Sequence, residues 1–287
     1  MTAARPELSP LVARLLQRVD DFENQVSILR KQLRRHVSAV PFAPPRIIIR
    51  ALGRMQVRIN GKLVRTADWQ VQSARDLFFL ILSFQDGLNK EEIGNIFWPD
   101  STPAELKLRF KNTVYRLRRA IGRETISFDD ELYCFNRDLD YEYDVETFLH
   151  EINLVQQSAS PDQRIRHYQA AIRNYRGGFM PEVEETWVIS ERERLQRTFF
   201  DTIINLIELH LVARHYAQVL EYCQRALEED ACLEAAHRYA MQAYAALGNR
   251  AAVQRQYELC CRSLREEMDI APSAQTENLY KEMMKKT

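Results

Sequence analysis

The sequence predicts a mainly α-helical protein with a small β component, in three parts. Residues 1–45 read as an amphipathic, coiled-coil-type helix with a Pro-rich linker, 46–138 as a compact mixed domain, and 139–287 as an all-helical domain. Three observations carry this division. Apolar residues alternate by three and four over 8–35. Short apolar runs punctuated by turn residues crowd 46–67 and 126–135. From Val145 onward nearly every apolar residue follows the helical period. A chain of 287 residues is long enough for two domains of ordinary size. The net charge is zero, but 1–45 carries +3, 46–137 carries +5 and 138–287 carries −8. A basic middle and an acidic end predict different partners, phosphate for one and protein for the other.

In the first part, Ser9 and Pro10 supply an N-cap and a first helical position. Val12, Val19, Val26 and Leu33 then take heptad position a, and Leu15, Phe22 and Leu29 take d. Valine at a with leucine at d favours a parallel two-stranded coil, which predicts a homodimer. A helix docked on the protein's own body would show a similar stripe, so both arrangements remain open. Pro41, Pro44 and Pro45 then break the helix.

The mixed part opens with strands at Ile47–Ala51 and Met55–Ile59, joined at Gly53. Asn60-Gly61 predicts a tight hairpin into Lys62–Val64. Helical spacing takes over at Gln72–Phe84, and Asn89 caps a short helix, Lys90–Phe97, that Trp98-Pro99-Asp100 ends. The next helix is the most distinctive in the chain. Thr102 is its N-cap, Pro103 its first residue, Glu105 completes a capping box and Gly122 stops it. At about 100° per residue, Leu106, Phe110, Val114, Leu117 and Ile121 share one face. Leu108, Lys111, Asn112, Tyr115, Arg118 and Arg119 lie on or near the other. Six Lys/Arg against one acid occupy 103–121. Ile126–Phe128 and Leu132–Phe135 flank an Asp129-Asp130-Glu131 turn, a second hairpin. Strands, two helices, a long basic helix and a hairpin follow the order of a winged helix-turn-helix domain with an extra N-terminal sheet.

In the helical part a 34-residue register is visible: Val219, Cys223 and Ala226 recur as Val253, Tyr257 and Cys260. Tyr244, Leu247 and Gly248 stand at tetratricopeptide offsets. Stacked helix pairs of this type present a surface to protein or peptide.

The order of parts resembles the Streptomyces antibiotic regulatory protein type, in which an OmpR/PhoB-like winged helix precedes a tetratricopeptide-like bacterial transcriptional activator domain. The resemblance is carried by Phe97-Trp98-Pro99-Asp100, by the run from Val114 to Gly122, by Asp144-Val145-Glu146-Thr147-Phe148, and by Tyr175-Arg176-Gly177-Gly178-Phe179. Trp187 with Arg192 and Leu195, and Pro272-Ser273-Ala274-Gln275-Thr276 with Leu279-Tyr280, complete it. It implies a regulator of transcription that binds double-stranded promoter DNA, often as a dimer on direct repeats. It also implies recruitment of RNA polymerase, through a sigma factor or another regulatory protein. It places the DNA-binding helix at 103–121. The heptad segment is not part of that pattern, and the acidic hairpin tip departs from it, because carboxylates are repelled by a minor groove.

Within that helix the flanking cations Arg109 and Arg116 are expected at the DNA backbone. Lys107, Arg118 and Arg119 add phosphate contacts. Lys111, Asn112 and Tyr115 are expected at base edges, with Leu108 against a thymine methyl. Arg123 and Arg137, beside the hairpin, are further candidates for phosphate. Trp69, Trp98 and Trp187 are expected in the core.

An enzyme is the weakest reading. The chain has no GxxxxGK[ST], GxGxxG or GxSxG motif, and its eight glycines leave little for a phosphate-cradling loop. No cofactor is expected. Its six histidines show no metal-ligand spacing and its five cysteines form no CxxC pair, so neither a metal site nor a disulfide framework is expected. No apolar run reaches the length of a membrane span and no signal peptide is evident, which predicts a cytoplasmic, nucleoid-associated protein. The main rival is an adaptor that binds no DNA and uses the winged helix for protein contacts.

Overall fold

The structure is a computed structural model that describes residues 46–286. The heptad residues Val12, Leu15, Val19, Phe22, Val26, Leu29 and Leu33 lie outside the described residues. The described chain forms two compact units. The first ends its opening strand at Ile49 and resumes over Gln56–Tyr143; the second takes Arg50–Met55 together with the chain from Asp144 on.

In the first unit, strands β1 (Ile47–Arg50), β2 (Gln56–Ile59) and β3 (Lys62–Leu63) join a later strand, β6 (Tyr141–Tyr143), in a sheet of order β3-β2-β1-β6. Asn60 (φ 49°) and Gly61 (φ 78°) both take positive φ, as the two-residue β2–β3 turn requires. The sheet's parallel pair sets Ile47 beside Tyr141 and Ile49 beside Tyr143. Sequence spacing predicts no strand at 141–143, since a parallel partner 94 positions away leaves no local signal.

After a single turn, α1 (Thr66–Trp69), helix α2 (Gln72–Ser83) forms the centre of the unit. Leu77 through Leu82 are all buried, the pattern of a helix enclosed on every side. Phe78 meets Trp69 and Phe135 at ring-centroid distances of 5.8 and 6.0 Å. Helix α3 (Lys90–Phe97) starts at a reciprocal capping box: the Glu92 N–H donates to Asn89 Oδ1 and the Asn89 N–H to Glu92 Oε2, both at 2.8 Å. Helix α4 (Pro103–Ile121) follows, then a short 3-10 turn (Arg123–Thr125) and the hairpin β4 (Ile126–Asp129) and β5 (Leu132–Phe135). This is the winged helix order that the sequence predicts.

The second unit comprises α5 (Asp144–Gln156), α6 (Pro161–Asn174), α7 (Thr186–Val212), α8 (Tyr216–Glu229), α9 (Glu234–Ala246), α10 (Arg250–Met268) and α11 (Ala274–Lys286). Neighbouring helices pack in succession from α5 to α10, and α11 packs on α9 and α10. The 34-residue register corresponds to equivalent buried positions: Val219, Cys223 and Ala226 on α8, Val253 and Cys260 on α10. Tyr257 is half-buried and stacks on Tyr280 at 4.1 Å and 2°. All five cysteines are free thiols.

Two polar residues hold the start of this unit. The buried Asp144 carboxylate accepts the Ala51 N–H (2.9 and 3.1 Å to its two oxygens), the Leu52 N–H (3.1 Å) and the Val145 N–H (3.0 Å). Burial nevertheless pushes its acid up to about 6, against the pull of those donors. Arg192 on α7 donates to the carbonyls of Phe179 (2.7 Å), Met180 (2.6 Å) and Val183 (2.7 Å), satisfying a loop that has no regular ladder. Of the three tryptophans expected in the core, Trp69 is buried. Trp98 and Trp187, each at a helix end, are half-buried.

Candidate nucleic-acid interface

Helix α4 owes its boundaries to local chemistry. The Glu105 N–H donates to Thr102 Oγ1 (3.4 Å), and the Thr102 N–H returns the bond to Glu105 Oε2 (2.9 Å). Pro103 opens the helix, and Gly122 ends it at φ 104°, where an L side chain would be strained. Phe110, Val114, Leu117 and Ile121 are buried. Leu106 is half-buried against Gly94 of α3, where an added Cβ would come within 2.6 Å of Leu106 Cδ1. That glycine lets the two helices of the helix-turn-helix approach closely.

The opposite face is open. Lys107, Leu108, Arg109, Lys111, Asn112, Tyr115 and Arg119 are exposed. Leu108 and Tyr115 show 62% and 60% of their surface to solvent beside these cations. Among the described residues none of these cations forms an ion pair. Arg116 is half-buried.

Arg118 differs from the outward position that sequence spacing predicts. It is half-buried, and its Nη2 donates to the Ile126 carbonyl at 3.0 Å. A rotation of about 300° from Tyr115 turns it toward the hairpin, so one of its donors braces β4. Of the two flanking arginines, Arg123 remains exposed, whereas Arg137 donates to the Leu82 carbonyl (2.9 Å) and the Tyr141 hydroxyl (3.3 Å) and serves the fold.

A groove of about 690 Å³ runs between α4 and the hairpin. Its floor is Phe110 and Val114, its wall is Tyr133, and no acidic side chain lines it. Lys107, Lys111, Arg118 and Arg119 reach it from α4, Lys90 from the start of α3 and Arg123 from the turn after α4. Lys90 and Tyr133 escape a reading by helix face, because they come from other elements. The hairpin is pinned by ring contacts: Tyr133 meets Phe110 edge-on at 4.8 Å and Phe128 at a tilt at 4.5 Å. Phe128 is itself 55% exposed, a further apolar contact beside the cationic face. At the tip, Asp130 (φ 46°) and Glu131 (φ 61°) both adopt left-handed backbone, with exposed carboxylates.

Among the described residues no helix is long and apolar enough to cross a membrane. The family model of the bacterial transcriptional activator domain matches residues 143–284. Comparison with curated proteins gives no match. Among solved structures, the fold is similar to that of Mycobacterium tuberculosis EmbR, solved in complex with a low-affinity phosphopeptide. The TM-score is 0.63 at 16% identity, covering 85% of this chain and 66% of that one. At that identity the likeness speaks for the fold, and this chain spans just under two thirds of its neighbour's length. The domain match assigns residues 143–284 to the bacterial transcriptional activator domain family, and the winged helix ahead of it completes an order of parts similar to that of the Streptomyces antibiotic regulatory protein-like type.

Proposed function

We propose that the protein activates transcription by binding promoter DNA in a sequence-specific manner through α4. The observation that carries this reading is the open face of α4: a helix surface with Lys107, Arg109, Lys111 and Arg119 exposed beside a groove free of acids. An α-helix fits a major groove about 12 Å wide. Lys111, Asn112 and Tyr115 then meet base edges, with Leu108 at a thymine methyl. Lys107, Arg109, Arg116, Arg119 and Arg123 meet phosphates, and Arg118 holds the wing. The DNA-binding domain is 46–138 and the effector domain 139–287. The effector domain contacts RNA polymerase, at its sigma factor, or another regulatory protein, and the heptad stripe of 8–35 pairs two chains.

An electrophoretic mobility assay on duplex DNA tests this reading. Five phosphate contacts give a plot of log affinity against log salt with a slope of about −4.5. Asn112→Ala weakens binding by about 1–3 kcal/mol and relaxes preference at one base pair. No binding to duplex at about 50 mM salt would overturn the reading in favour of the adaptor. A monomeric mass for the full chain in sedimentation would remove the dimer.

A further inference from the structure

The two sides of the groove beside α4 differ in chemistry. On the helix side Lys107, Lys111, Tyr115 and Arg119 recur at every fourth residue, which sets them in a row with steps of about 6 Å. Arg123 extends the row past the end of the helix. The four cations are exposed and form no ion pair among the described residues. On the hairpin side the groove offers rings instead. Tyr133 of β5 lines it, and Phe128 stands opposite Tyr133 across the β4–β5 ladder. Phe110 holds the Tyr133 ring edge-on, so the ring left open to solvent is Phe128.

A duplex has little use for such a ring, because its bases are already paired and stacked on one another. The exposed carboxylates of Asp129, Asp130 and Glu131 at the hairpin tip also repel a groove walled by phosphates. A single strand has the matching asymmetry, with charge along one edge and flat, neutral bases along the other. Cationic grooves with aromatic platforms hold unpaired strands in this way. From Lys107 to Arg119 the row covers about 18 Å of helix axis, room for several consecutive phosphates rather than one small anion. We propose that this groove holds a single strand of DNA, with its phosphates along Lys107, Lys111 and Arg119 and an unpaired base stacked on Phe128. The inference rests on α4 as a nucleic-acid surface, as proposed above, and adds the hairpin flank as the part that prefers unpaired bases. Strand and duplex use the same row of cations, so they exclude each other on α4.

The test is fluorescence anisotropy of the full chain with a labelled thymine oligonucleotide of about 12 nucleotides, beside an abasic strand of the same length and a duplex. The thymine strand should bind at least about fivefold tighter than the abasic strand, as one stacked base provides. Unlabelled thymine strand should displace the duplex. Phe128→Ala, at an exposed position, should remove the preference for bases, and Phe128→Trp should keep it. Equal affinity for the thymine and abasic strands overturns the proposal, as does a preference that survives in Phe128→Ala. Tighter binding of a uridine RNA of the same length overturns it in favour of RNA. Where the duplex still binds in those cases, the reading of α4 stands; failure of strand and duplex alike overturns both.

Discussion

Three arginines of α7 and α8 and the cations of α4 have the same chemistry and opposite fates. In the helical unit the fold uses all three. Arg192 is spent on three carbonyls, Arg194 pairs with Glu191 at 2.6 Å, and Arg225 is held by Glu229 (2.8 Å), the Tyr175 carbonyl (3.1 Å) and the Phe199 ring. In α4, Lys107, Arg109, Lys111 and Arg119 are exposed and form no ion pair among the described residues. Arg118 alone crosses over, bonded to Ile126. Charge in a sequence therefore says little about a partner until the charges that the fold uses have been set aside. What is left over on α4 is concentrated on one face.

The largest effect should come from an arginine that the fold uses. Arg192→Ala removes three charge-assisted hydrogen bonds and leaves carbonyls without donors, at a cost of about 3 kcal/mol or more. Urea denaturation followed by circular dichroism reads this; a loss under about 1 kcal/mol would show that water replaces the guanidinium.

Asp144 tests the same contrast with a carboxylate. Its raised pKa means that the folded state binds the proton more tightly than the unfolded chain. Its contribution to stability is therefore present at low pH and falls as pH rises from about 4 through about 6, by about 3 kcal/mol, then stays level. The difference in unfolding free energy between the parent and Asp144→Asn should follow that curve. A difference independent of pH over the window would contradict the raised value.

The smallest effect separates two adjacent residues of α4. Arg118→Ala should cost about 1 kcal/mol of stability by freeing β4 from its brace. Arg119→Ala should leave stability within about 0.5 kcal/mol and reduce the salt slope of DNA binding by about one. Equal effects of the two on stability would erase the distinction between used and unused cations.

Elements whose signals lie within one turn were legible in the sequence. Thr102, Pro103, Glu105 and Gly122 bound α4 at 103–121, and Asn60-Gly61 turns β2 into β3 where it should. Features made by distant pairs were not. Strand β6 depends on β1, the Arg118 brace on the hairpin, and the positions of Lys90 and Tyr133 in the groove on the packing of three elements. Helix period reports which face of α4 is buried; only the structure shows which outward cations bond back to the protein.

The pairing of β1 with β6 also bears on the order in which the chain folds. During synthesis β1 emerges almost a hundred residues before its parallel partner, so the first sheet stays incomplete until Tyr143 has left the ribosome. Residues 50–55, made early, wait longer still, because the carboxylate that receives the Ala51 and Leu52 amides comes with Asp144. A fragment of 56–143 lacks β1, and one of 144–286 lacks the Ala51 and Leu52 amides that donate to Asp144. Neither unit can be cut out as a continuous stretch without leaving an edge strand or a buried carboxylate unmatched, and each unit completes its fold only after Asp144 and its neighbours have been made.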